Sequence, residues 1–167
     1  MDFFKTSYIL TKYEILFLYS CISDTVPSPP AQYILSRYLT DSLAPQEAVE
    51  GLVYKKLAKK LSGRIVLEPV VDLLMRSALH SDTLWIAECG GIENFVLLLR
   101  SDDIYIHIRR YQHISDAWKI TPYQSRNALL GEFDGLNIAK VIRIGSGSSR
   151  KVFKAENSMS WIEDGRE

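Results

Sequence analysis

The sequence is poor in the residues that make and break bonds. It contains two cysteines, Cys21 and Cys89, and neither sits in a CxxC pair or beside a histidine. No disulfide framework or zinc knuckle is expected, and this cysteine usage fits a reducing cytosol. The imidazoles are His80, His107 and His113, none three or four residues from another, so no helical metal pair is formed and no metal is expected. No apolar run approaches the roughly 18 residues of a membrane span. At the amino end, MDFFKTSYIL has no basic stretch leading into an apolar one, and Lys5, Lys12 and Glu14 interrupt what apolar character there is, so neither signal peptide nor anchor is expected. An excess of charge of either sign is missing too. Lys and Arg number 20 against 20 Asp and Glu, which leaves no global field to gather polyanionic nucleic acid or acidic lipid.

Catalytic patterns are as scarce. Ser20, Ser36 and Ser77 lack a GxSxG elbow, and Glu47, Glu50, Glu68 and Asp72 lie in first helical turns or on polar faces, where the helix dipole and solvent account for them. The segment IGSGSSRKVFKAE, residues 144–156, resembles a kinase glycine loop. However, Arg150 stands where the third glycine belongs and no VAIK-type lysine strand accompanies it, so it reads as a Gly/Ser hairpin turn. No enzyme activity and no cofactor are expected.

What is present is patterned apolar residue, 47% of the chain, enough for one core in one domain. Thr11-Lys12-Tyr13-Glu14 is a capping box that opens a helix with Ile15, Leu18, Tyr19 and Ile22 at helical spacing. A proline loop, residues 23–30, leads to a short helix over 32–39. Pro45 starts a third helix running to Leu61, with Glu47 and Glu50 at its positive end and Lys55, Lys56, Lys59 and Lys60 at its negative end. After the extended stretch 65–67, Pro69 starts a fourth helix reaching Leu79.

The runs TLWIAE, ENFVLLLR and DIYIHIRR then form an antiparallel meander over 82–110. Leu84, Ile86, Phe95, Leu97, Leu99, Ile104, Ile106 and Ile108 align on one face, and Trp85, Val96, Leu98, Tyr105 and His107 on the other. The second face needs a cover, either a later helix or a partner. Thr121 and Pro122 read as cap and first residue of a closing helix to Phe133, followed by a hairpin over 138–153 and a tail. The expected architecture is α+β in a single domain, 1–167: a helical, winged-helix-like part over about 10–80, the sheet and closing helix over 82–133, and a C-terminal hairpin and tail over 134–167.

The order LTKYEILFLYS, EAVEGLVYKKLAKKLSGRIVLEPVVDLLMRSAL, TLWIAECGGIENFVLLLRSDDIYIHIRR and TPYQSRNALLGEF resembles the EspG-type chaperones of type VII secretion systems, in a compact Gram-positive form, over about residues 10–133. The resemblance implies a cytosolic, non-enzymatic bacterial chaperone or adaptor that binds a helical secreted effector, alone or as a homodimer. It places contacts at the turns Cys89, Gly90, Gly91 and Asp102, Asp103, and aromatic character on the second sheet face adds Trp85, Tyr105 and His107. Two other readings stand beside it. One is a winged-helix regulator using Lys55, Lys56, Lys59, Lys60 and Arg64 against DNA phosphates, which Glu47 and Glu50 on the same helix oppose. The other is an immunity protein that neutralises a toxin.

Overall fold

The capping box forms as read: the Thr11 hydroxyl accepts from the Glu14 amide at 3.2 Å and the Glu14 carboxylate accepts from the Thr11 amide at 2.9 Å. In the computed structural model, which describes residues 3–22, 24–39, 44–90, 94–147, 150–154 and 161–162, this box joins a strand to a helix, β1 (Tyr8–Thr11) and α1 (Lys12–Cys21). Helices α2 (Pro29–Tyr38) and α3 (Pro45–Tyr54) follow, then a hairpin of β2 (Ala58–Leu61) and β3 (Arg64–Leu67), and then α4 (Pro69–Leu79). The remainder is β4 (Thr83–Glu88), β5 (Phe95–Ser101), β6 (Ile104–Arg110), β7 (Ala117–Tyr123), α5 (Arg126–Leu129) prolonged by a 3-10 turn (Leu130–Phe133), β8 (Lys140–Gly145) and β9 (Arg150–Lys154).

The fold is α+β. A seven-stranded sheet in the order β1-β7-β6-β5-β4-β8-β9, antiparallel at every pair, carries helices on one face, and β2 and β3 form a separate two-stranded sheet. Because β1 and the β8–β9 hairpin join the same sheet as the meander, the helical part and the C-terminal part are tied through a common ladder.

Three expectations are corrected. The third helix stops at Tyr54 rather than Leu61: Lys56 takes a left-handed φ of 59°, its amide donating to the Val53 carbonyl, and the chain then turns into β2. Such a left-handed residue closes many helices, and glycine is its usual marker; here a lysine fills the position. Thr121 and Pro122 lie in β7, and the closing helix begins at Arg126 with the Ser125 hydroxyl as its cap. The second helix begins at Pro29, capped by Ser28, rather than near Gln32.

Both sheet faces are apolar, as the alternation required. Leu84, Ile86, Leu97, Leu99, Ile106 and Ile108 face the main core with Leu18, Ile34, Leu74 and Leu79. At one end of that core Tyr38, Phe95 and Trp118 pack ring against ring, with centroids 4.8 to 6.2 Å apart. The second face packs Trp85, Val96, Leu98 and Tyr105 against Leu129, Phe133, Trp161 and Ile162. Glu14 has a second task besides capping. Its buried carboxylate meets the Lys55 ammonium at 2.6 Å, and Lys55 also donates to the Ile9 carbonyl at 2.9 Å. This ties the α1 cap to the end of α3, and the packing leaves no room at Gly51 for a Cβ beside that carboxylate.

Candidate partner-binding surfaces

The second sheet face is closed by the chain itself. Trp85 is 1% exposed and His107 1%, with Tyr105 also buried, so these three belong to the core and present no surface to a partner in this fold. The cause is the short α5 with its 3-10 turn, together with Trp161, laid over them: Phe133 meets His107 edge-on at 5.6 Å and Trp161 at 5.4 Å. The hairpin turns expected to make contacts are in view. Asp102 and Asp103 are exposed, Asp102 with a left-handed φ of 51°. Gly90 is exposed and Cys89 half-buried, while Gly91 lies outside the described residues.

His107 sits opposite Thr121 on β7 and Leu98 on β5, and among the described residues neither ring nitrogen has a hydrogen-bond partner. Burial pulls its pKa down to about 4; Glu132 opposes the drop, and Arg109 and Lys119 add to it. Near it the Tyr123 hydroxyl donates to the Glu132 carboxylate, and burial together with that bond pushes the phenol upward. A neutral imidazole in an apolar layer has packing as its role. Among the described residues no group of three or more His, Cys, Asp or Glu side chains is placed to hold a metal ion, and no helix is long and apolar enough to cross a membrane.

Exposed apolar side chains are scattered, Val26, Leu73, Ile114 and Val152 among them, and two occur together on the β2–β3 arm. Ser62 and Gly63 take φ of 49° and 77°, both positive, as the tight turns matched to strand twist require. Register pairs Lys59 with Val66 and Leu61 with Arg64; alternation therefore puts these four on one face. The opposite face sends Ala58 into the core and half-buries Ile65 and Leu67. On the outer face Leu61 is 55% and Val66 46% exposed, with Tyr54 of α3 nearby in sequence and 88% exposed. The basic patch read from the sequence is thereby divided. Lys55 is engaged with Glu14, Lys59 pairs with Glu68 at 2.7 Å, and Lys56, Lys60 and Arg64 are exposed. On α3 itself the exposed residues include Gln46, Glu47 and Glu50.

Compared with known proteins, the chain matches no family model and no curated protein sequence.

Proposed function

We propose that this chain is a non-enzymatic adaptor that grips a protein partner on the outer face of the β2–β3 arm. The observation that carries the reading is the pair Leu61 and Val66, held out to solvent on a hairpin whose other face is anchored. Two apolar side chains beside two open strand edges favour association, by apolar contact and by strand addition. Arg64, exposed beside them, suits a partner with acidic residues around an apolar stripe, while Lys59 is paired with Glu68.

The finer reading is a chaperone for a helical secreted effector of a type VII-like system, working in the cytoplasm. Its support is the order of helices, hairpin and antiparallel strands described above. Partner contact through Trp85, Tyr105 and His107 forms no part of it, because those side chains are covered.

Co-expression with a small helical secreted protein encoded beside this gene tests the proposal. The pair is expected to co-purify and the effector to stay soluble, whereas Leu61→Asp with Val66→Asp abolishes both at unchanged melting temperature. Co-purification that survives the double change would overturn the arm as the contact. The DNA reading competes through Lys56, Lys60 and Arg64, and a duplex shift that weakens steeply with salt would favour it. Glu47 and Glu50 on the exposed side of α3 weigh against it, since they repel phosphate. The immunity reading would show as inhibition of the co-purified partner's toxicity.

A further inference from the structure

The closing elements do not cover the whole second face. One row of it crosses four neighbouring strands, with Arg109 exposed, Ile9 and Lys119 half-buried, and Val96 buried at its end. Register sets Ile9 of β1 beside Lys119 of β7, Lys119 beside Arg109 of β6, and Arg109 beside Val96 of β5. These four residues line a single groove of about 430 Å³, bounded by Leu136 on one side and by the 111–113 segment on the other.

The groove carries a cross-strand pair of like charge. Arg109 and Lys119 are direct cross-strand partners of like charge, an arrangement that repels. Register sets like charges side by side elsewhere too, Arg143 beside Lys151 and Lys140 beside Lys154; Lys140 lies 3.7 Å from Glu88, and Arg100 is held by Asp82 at 2.7 Å and stacks near Trp85. Among the described residues Arg109 and Lys119 have no ion pair, and the groove wall contains no Asp or Glu. Arg110 also lines the groove, but its guanidinium lies over the Trp118 ring, on the main-core face of the sheet.

We infer that this groove binds a carboxylate-bearing peptide segment of a protein partner. The carboxylate sits between Arg109 and Lys119, and a neighbouring apolar side chain lies on Ile9 and Leu136. These apolar neighbours argue for a peptide, because a bare phosphate would use only the cations. The carboxylate offsets the like-charge repulsion between Arg109 and Lys119. The inference rests on the reading of the chain as a partner-binding protein, and it supplies a second contact, separate from the arm.

The test uses the full chain and a fluorescein-labelled peptide of alternating Glu and Leu, followed by fluorescence anisotropy, with a Gln-for-Glu peptide as control. Lys119→Glu puts a carboxylate opposite Arg109. It is expected to raise the melting temperature by about 1–3 °C through the new cross-strand pair and to weaken peptide binding at least about tenfold. Arg109→Glu weakens binding similarly. Equal binding of the Gln peptide, binding unchanged in both variants, or full displacement by millimolar inorganic phosphate would each overturn the proposal, the last by showing a site that reads charge alone. Leu61→Asp with Val66→Asp is expected to leave this peptide's affinity unchanged, so failure of the arm and failure of the groove are separate results.

Discussion

At the scale of single residues, His107 links packing to pH. Its pKa falls to about 4 in the folded protein, against an ordinary histidine value near 6.5. Between those values the unfolded chain takes up a proton that the folded chain refuses. Stability is therefore complete above about pH 6.5 and declines as pH falls toward 4, by about 3 kcal/mol at the acid end. Replacing His107 with leucine removes the titrating group while keeping an apolar filler against Phe133. Urea denaturation from pH 7 to 4 is expected to show a shallower decline for His107→Leu than for the natural chain, and parallel curves would refute the assignment. The same residue shows the limit of reading position as purpose. Alternation placed His107 correctly on the second face, but whether that face meets a partner or the chain's own Phe133 depends on a segment 26 positions later, the sequence separation of those two residues, and no local signal encodes that contact.

At the scale of elements, legibility followed local chemistry. The strands β4, β5 and β6 announced themselves by their apolar runs and by the turns between them, and α1 by its capping box, because each signal lies within the element it defines. The end of α3 did not, since Lys56 adopts a left-handed conformation that glycine ordinarily marks, and Lys59 and Lys60 then fall on a strand instead of a helix. Strand β7 was hidden by Thr121-Pro122, which has the form of a helix start. Proline is tolerated there because β1 pairs only with Ala117 to Ile120, so Pro122 lies beyond the ladder on that side and needs no amide to donate. With β7 unread, the Arg109–Lys119 pairing could not be seen at all. The arm carries its own prediction. Its turn needs positive φ at Ser62 and Gly63, and a branched residue in the left-handed region costs about 1–2 kcal/mol. Since two isolated strands are marginal, Gly63→Val is expected to open the hairpin locally. Amide exchange should accelerate from Ala58 to Leu67 while the protection of β5 and β6 is kept. Uniform loss of protection across the chain would instead mean that the arm is part of the global folding unit.

At the scale of the whole molecule, one sheet divides two cores of unequal construction. The first is roofed by helices each of ten or eleven residues, α1, α2 and α4. The second relies on a four-residue helix, a four-residue 3-10 turn and the Trp161–Ile162 pair, elements too short to hold their shape without the sheet beneath them. The indole of Trp161 is the largest side chain in this cover and packs edge-on against Phe133, which in turn covers His107. Truncating it removes apolar contact and leaves a void under a cover that has no length to collapse into it, so Trp161→Ala is expected to cost about 3–5 kcal/mol. The loss should be local in character. Exchange protection is expected to drop first on β4, β6 and β8 amides beside Trp85, Tyr105 and Val141, and a dye that binds exposed apolar surface should brighten before the main core melts. That outcome would show that the second face is held closed mainly by this thin roof; a cost under about 1 kcal/mol with no dye response would show instead that the remaining cover holds the face closed without Trp161.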